Sequence, residues 1–187
     1  HMQLSTNCCW LHRETLVKHA ITFDTRVVPA FEDAHLLNRL LVAAPERTVT
    51  FLPSAKYYYR KRADQTSLVD GSKEKASWYL DQIEHGYLDL LSFAKAMRGV
   101  VPKHLQRMCL YDTFYRFRHV VDHPERTAFL TEQQRARFLD LVRDVFSYID
   151  AEVIENFNLA GCTEEHKVAL LALYKGQRRS STAVYLE

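Results

Sequence analysis

The chain has 187 residues, of which 47% are hydrophobic and 26% are charged, a composition typical of a globular protein with a sizeable core. Its net charge of +2 is too small to indicate a nucleic-acid-binding protein, which usually concentrates Lys and Arg on one face. No run of apolar residues is long enough to predict a membrane-spanning helix, and no signal peptide is evident.

The first part of the chain mixes helical and extended patterns. Apolar residues at helical spacing predict helices over 13–20 and 33–43. A short β-leaning run over 49–52, closed by Pro53, predicts a buried strand, and an aromatic segment over 56–60 predicts a second extended stretch. This part is therefore expected to be α and β.

Beyond residue 72 the pattern is almost wholly helical. Apolar stripes predict one helix over 73–97, ended by Gly99 and then Pro102, and a second over 102–121. Thr131 is the expected N-cap of a third helix, and Thr163 is the expected N-cap of a fourth that ends at Gly176. The stripe of the third helix consists of Phe138, Leu141, Val142, Val145, Ile149 and Val153.

These patterns predict an α+β fold that is predominantly α. We expect three parts: an α/β segment over 1–72, a four-helix bundle over 73–176 and a flexible tail over 177–187. The second helix carries the basic residues Lys103, Arg107, Arg116 and Arg118. These charges could touch anionic lipid, but the usual pattern of an inward-packed helix with a solvated basic face is the favoured interpretation.

Residues 5–67 contain an ordered series of short motifs. They are Ser5-Thr6-Asn7-Cys8-Cys9, Leu11-His12-Arg13-Glu14-Thr15-Leu16, Ile21-Thr22-Phe23-Asp24, Phe31-Glu32-Asp33-Ala34, and Tyr58-Tyr59-Arg60-Lys61-Arg62-Ala63-Asp64-Gln65-Thr66-Ser67. The series resembles the second half of the catalytic domain of family 2 inverting glycosyltransferases of the GT-A fold. In that family a small-residue strand, an Arg-(Arg/Glu)-x-Leu helix, a Phe-Asp turn, a Glu-Asp pair and a Tyr-x-Tyr-Arg-x-Arg segment follow in this order.

The resemblance implies a catalytic role for the Glu-Asp pair. Inverting glycosyl transfer needs a carboxylate that takes the proton of the acceptor hydroxyl as it attacks the anomeric carbon. By the family's pattern Asp33 is this general base, and Glu32 shapes the acceptor pocket beside it. A plainer interpretation is that both residues only stabilise the start of the helix, as acidic residues often do.

The same resemblance implies a donor-binding role for Arg60, Arg62 and Ser67. Alternate residues of an extended segment face one side, so both guanidinium groups could bind one diphosphate, with Ser67 adding a hydroxyl. The alternative is a basic strand edge exposed to solvent. His12 and Arg13 take the positions that the family places near the acceptor, although a lone histidine is more often structural.

The chain lacks the Asp-x-Asp element through which the family holds Mg²⁺ or Mn²⁺, and it lacks the β-α-β unit that binds the nucleotide. The opening His1-Met2 is typical of a cloning remnant, so we expect the chain to begin inside a longer gene. A divalent metal is therefore expected in the parent protein but not on this chain, and the chain alone is expected to be inactive.

The resemblance predicts a bacterial glycosyltransferase of teichoic acid or capsule assembly with a helical extension. Its partners would be a nucleotide-sugar and a glycan or cell-wall polymer, and its location would be cytoplasmic, with peripheral contact at the inner face of the membrane. Self-association through an uncovered sheet edge is a further expectation. The alternative, from another class, is a helical protein-interaction module without catalytic activity.

Overall fold

A computed structural model describes residues 5–44, 50, 52–58 and 71–176 of the protein. Within these ranges it contains helices and turns and no strand. The predominantly helical character of the fold is thereby confirmed. The predicted extended segments over 49–52 and 56–60 lie partly outside the described residues, and the α/β segment stays a prediction.

Eight α-helices follow one another through the described residues. They are α1 (Arg13–Lys18), α2 (Glu32–Ala43), α3 (Ala76–Tyr79), α4 (Asp89–Arg98), α5 (Lys103–Val120), α6 (Glu132–Ser147), α7 (Ala151–Glu155) and α8 (Glu164–Lys175). A π-helical segment, Gln82–Leu88, lies between α3 and α4. Short 3₁₀ turns occupy Thr6–Cys8, Ser72–Glu74 and Pro124–Thr127.

The predicted helix ends are confirmed where local chemistry determines them. Thr131 and Gln134 form a capping box at the start of α6, each side chain bonding the other residue's backbone N–H. Thr163 and His166 form the equivalent pair at α8. Gly99 and Gly176 follow α4 and α8 with φ of 73° and 63°, a left-handed conformation that glycine adopts without strain.

The single helix predicted over 73–97 is wrong in its middle. The chain leaves α3 at Leu80, widens into the π segment, and resumes α-helical geometry at Asp89. The spacing of apolar residues does not distinguish a π turn from an α turn, because the one extra residue of a π turn shifts the apolar stripe only locally. The wider turn accommodates Gly86 against the ring of Phe31 and buries Tyr87 completely.

The third predicted helix also ends earlier than its apolar stripe. It ends at Ser147, and a short turn leads to α7, where the side chain of Gln106 bonds the N-cap residue Asp150. Gln106 Oε1 accepts from the backbone N–H of Asp150 at 2.7 Å, and its Nε2 donates to the Asp150 carboxylate at 2.9 Å. Ile149 and Val153 stay buried, so the stripe continues although the helix does not.

The prediction that α5 turns all its basic residues to solvent is wrong for Arg116. Only 1% of Arg116 is exposed, and its guanidinium carbon, Cζ, lies 4.3 Å from the centre of the Trp78 ring. Lys103 and Arg118 lie at the surface and bond Glu152 and the carbonyl of Ala160. None of the helices within the described residues is both long and apolar enough to cross a membrane.

One large hydrophobic core joins the helices to the segment that precedes them. Val27, Phe31, Ala34 and Val42 pack into the same cluster as the inner faces of α4, α5, α6 and α8. The opposite face of α2 contributes Leu36, Leu37 and Leu40 to a second, smaller cluster together with Ile21. Helix α2 therefore packs on one side into the core that it shares with α4, α5, α6 and α8, and on the other against the residues around α1.

Candidate functional site

Asp33 lies in the first turn of α2, half-buried, beside the residues of the first motif. Thr6 Oγ1 donates a hydrogen bond to Asp33 Oδ1, and Ser5 Oγ lies 3.4 Å from Asp33 Oδ2. Both hydroxyl groups belong to the 3₁₀ turn and its N-cap. The structure therefore brings two motifs that are separated by almost thirty residues to one carboxylate, a contact that sequence patterns did not reveal.

This carboxylate lies at the start of a helix. The free N–H groups of the first helical turn carry a partial positive charge, which stabilises a negative side chain there. The hydroxyl groups of Ser5 and Thr6 donate hydrogen bonds to its two oxygens. Glu32, the preceding residue, is exposed to solvent. Asp33 is thus oriented by the protein, whereas Glu32 is free of such packing.

The turn that leads into α2 has an unusual backbone at Phe31. Its φ of 85° and ψ of −5° are left-handed, a conformation that costs energy for a residue with a large side chain. The Phe31 carbonyl accepts the first hydrogen bond of the helix, from His35 N at 2.8 Å. The ring is buried and meets the Tyr87 ring edge to face, with their centres 4.6 Å apart. Packing of the ring therefore holds the strained turn.

The Phe-Asp motif, Phe23-Asp24, forms part of the loop before this turn. Arg26 donates to Asp24 from its backbone at 2.9 Å and through its guanidinium at 3.0 and 2.6 Å. These hydrogen bonds hold the pKa of the Asp24 carboxyl well below its ordinary value. Asp24 therefore acts as a turn-forming anion within the loop, and Phe23 points partly to solvent.

His12 and Arg13 begin α1, and both are exposed. His12 Nδ1 lies 3.3 Å from Thr15 Oγ1, within the same helix. Helix α1 is held against α2 by Leu11 and Leu16, which pack on the small apolar cluster. His12 and Arg13 therefore lie at the start of a helix that packs on the same small apolar cluster as α2. Arg60, Arg62 and Ser67 lie outside the described residues.

A polar link between α2 and α4 was missed by sequence reasoning. His35 Nε2 lies 2.8 Å from Asp89 Oδ2, and Arg39 donates to the same oxygen from one turn further along α2. These contacts, led by the His35 hydrogen bond, lower the pKa of Asp89 despite its partial burial. Arg39 also stacks on Phe93, 4.0 Å from the ring centre. No sequence signal reports this link, because the two helices are distant along the chain.

A second polar network is buried around Tyr87, the residue whose ring packs against Phe31. The Tyr87 hydroxyl accepts from Arg116 Nη1 at 2.6 Å and from Gln82 Nε2 at 3.0 Å, and it donates to Asp112 Oδ2 at 3.2 Å. Arg116 also donates to the Trp78 carbonyl at 3.1 Å. Burial raises the pKa of Tyr87 well above its ordinary value, and it raises the pKa of Asp112 in spite of the nearby Arg116 charge.

The described ranges contain no cluster of three or more His, Cys, Asp or Glu side chains arranged to hold a metal ion. The described residues therefore do not supply the divalent-metal site that the resemblance implies for the parent protein.

Comparison with known proteins gives two relatives. The chain is 28% identical over 151 residues to the minor teichoic acid biosynthesis protein GgaB of Bacillus subtilis (strain 168), a match covering 80% of this chain and 16% of GgaB. It is 26% identical over 164 residues to the minor teichoic acid biosynthesis protein GgaA of the same strain, covering 86% of this chain and 35% of GgaA. No family model and no solved structure matches the chain.

The chain is thus similar, at low identity, to proteins of teichoic acid biosynthesis. The matched region spans about a sixth of one relative and about a third of the other. Each match covers at least 80% of this chain, which is more than the motif series over residues 5–67 could provide alone. The similarity therefore takes in helical residues as well as the motif series.

Proposed function

We propose that the full-length protein is a glycosyltransferase of cell-wall polymer synthesis. It transfers a sugar from a nucleotide-sugar donor to a hydroxyl group on a teichoic acid, capsule or related glycan acceptor. The observation that carries the proposal is the similarity of most of this chain to two teichoic acid biosynthesis proteins. The ordered motifs over 5–67 supply the second support, since they resemble family 2 glycosyltransferases of the GT-A fold.

In this proposal Asp33 is the general base. Its carboxylate stands at a helix N-terminus, is half-exposed, and is oriented by the hydroxyls of Ser5 and Thr6. An acceptor hydroxyl that approached Asp33 would lose its proton to the carboxylate while its oxygen attacks the anomeric carbon. Departure of the nucleoside diphosphate would complete the step with inversion. The exposed Glu32 would contact the acceptor beside it.

The other residues named by the resemblance have proposed roles in binding. His12 and Arg13 would contact the acceptor from α1, and Arg60, Arg62 and Ser67 would bind the donor diphosphate. The nucleotide and a divalent metal would be held by other parts of the protein. Because the chain spans only part of its relatives, we expect turnover from the full-length protein and not from this chain alone. We place the reaction at the cytoplasmic face of the membrane.

The experiment is a panel of nucleotide-sugars offered to the full-length protein with Mn²⁺, beside this chain alone under the same conditions. Binding is measured by calorimetry, and donor turnover is measured by release of the nucleoside diphosphate. The proposal expects one or a few donors to be bound and turned over by the full-length protein only. Full-length protein that binds no nucleotide-sugar contradicts it.

A helical interaction module is the second candidate. The predominantly helical character of the described residues favours it, since a large helical core offers a rigid surface without requiring catalysis. In the same panel this candidate expects no binding of any nucleotide-sugar, so one experiment separates the two functions.

A further inference from the structure

Gly86 of the π segment packs against the turn that precedes Asp33. A Cβ atom built on Gly86 would lie 3.0 Å from Phe31 Cδ1 and 3.4 Å from Val27 Cγ1. Gly86 does not have a left-handed backbone, so its conformation alone does not call for glycine. In a helix alanine is ordinarily the better residue. The physical reason for glycine at this position is therefore the ring of Phe31.

The next residue supports the same ring from another side. The Tyr87 ring meets Phe31 edge to face at 4.6 Å, and Tyr87 is fully buried. Its hydroxyl is held by Arg116, Gln82 and Asp112, so the Tyr87 ring has little freedom to yield. Phe31 thus packs tightly against Gly86 and Tyr87, and hydrogen bonds hold the Tyr87 side chain in place.

The start of α2 follows the position of Phe31. The Phe31 carbonyl accepts the first hydrogen bond of the helix, and Asp33 lies only two residues further on. A second attachment comes one turn later, where His35 bonds Asp89, three residues beyond Gly86. The first turn of α2 is therefore attached at two points to one face of the same neighbouring helical segment.

We propose that Gly86 is a positioning residue for Asp33: the absent side chain at 86 lets Phe31 seat against the π segment, and this seating aims the Asp33 carboxylate at the acceptor. The inference rests on the proposed function. A base that is displaced by a fraction of an ångström loses rate, because proton transfer depends steeply on distance and angle. Donor binding depends on other residues and stays unchanged.

The test compares Gly86→Ala with Gly99→Ala in the full-length protein. Gly99 is the control, because a Cβ at residue 99 would have no heavy atom within 4 Å, although its φ of 73° makes alanine mildly strained there. We expect Gly86→Ala to lower kcat by about ten-fold or more with donor KM within about two-fold. We expect Gly99→Ala to leave kcat unchanged, even if it lowers the melting temperature slightly.

A double variant distinguishes positioning from a general loss of structure. Phe31→Leu shortens the side chain that meets residue 86 and keeps the position apolar. If the contact positions Asp33, Gly86→Ala combined with Phe31→Leu has a higher kcat than the product of the two single effects predicts. The backbone amide signals of Glu32 and Asp33, followed by NMR, shift in Gly86→Ala and stay in place in Gly99→Ala.

The possible failures are separable. A wild-type protein with no transferase activity overturns the proposed function and this inference together. An active wild type whose Gly86→Ala variant keeps full kcat and unshifted Glu32 and Asp33 amides overturns the positioning role alone. If Gly86→Ala does not fold, Phe31→Leu alone provides the test, and an unchanged kcat in that variant overturns the role.

Discussion

A Cβ atom at Gly86 would lie 3.0 Å from Cδ1 of Phe31, a contact so tight that the ring would have to shift by a few tenths of an ångström. The contact joins the helical part of the chain to the turn that carries Glu32 and Asp33. Through this contact the helices support the turn, a role that their amphipathic pattern did not predict. The π segment and the helices packed around it therefore support the turn that leads to the candidate base, Asp33.

The buried hydrogen-bond network around the Tyr87 hydroxyl depends on Arg116. We expect Arg116→Met to lower the free energy of unfolding by about 2–3 kcal/mol, because the change leaves the Tyr87 hydroxyl and the Trp78 carbonyl buried without their donor. Urea denaturation measures the effect. Arg137→Met is the matched control, since Arg137 is half-exposed and only pairs with Glu84 at 3.1 Å, so its loss should cost less than about 1 kcal/mol. Equal losses from the two variants would contradict the assignment.

The link between Asp89 and His35 predicts a pH-dependent contribution to stability. The folded-state pKa of Asp89 is lowered, chiefly by the His35 hydrogen bond, so the native state binds fewer protons at this site than the unfolded state does. The stabilisation is therefore present above about pH 4, the ordinary value for an aspartate, and is lost as the pH falls through the folded pKa. Urea denaturation of wild type and Asp89→Asn across this range measures it. A stability difference that stays constant with pH would exclude the explanation.

Capping of α6 by Thr131 makes a smaller, local prediction. Thr131→Ala removes the acceptor of the Gln134 N–H and should cost about 1 kcal/mol of stability. Thr127→Ala is the control, because Thr127 Oγ1 donates only a weak bond to the Pro124 carbonyl at 3.3 Å, outside any α-helix. Thermal unfolding of both variants checks this, and the capping assignment fails if Thr127→Ala is the more destabilised.

The hydroxyl of Thr6 is expected to restrain Asp33. Thr6→Val keeps the shape of the side chain and removes the donor, so the carboxylate loses one charge-assisted hydrogen bond worth about 1–2 kcal/mol. We expect faster amide hydrogen exchange in the first turn of α2 and a lower kcat in the full-length protein. Thr22→Val, at an exposed threonine, is the matched control. Exchange rates in the α2 turn that are the same in both variants would show that Thr6 does not hold Asp33.

Features set by neighbours in sequence were predictable. The caps at Thr131 and Thr163 and the ends at Gly99 and Gly176 depend on a few adjacent residues, and the sequence patterns located them. The position of Asp33 in the first turn of a helix was predictable for the same reason. Its proposed role came from the motif series, and that role stays a prediction.

Features set by tertiary packing were not predictable. Arg116 was assigned to the solvated basic face of α5, but it is buried against Trp78 of α3 and Tyr87 of the π segment. The left-handed turn at Phe31 and the π segment at Gly86 depend on each other across more than fifty residues. A single sequence carries no local record of such pairs.

The most direct test of the central claim is the transfer rate of Asp33→Asn in the full-length protein, once its donor is known, beside Glu32→Gln and wild type. If Asp33 is the base, Asp33→Asn loses about 10²–10⁴-fold in kcat while donor affinity is unchanged, and Glu32→Gln loses less. An Asp33→Asn protein that transfers sugar at the wild-type rate would contradict the assignment and would leave Asp33 as a helix-capping residue.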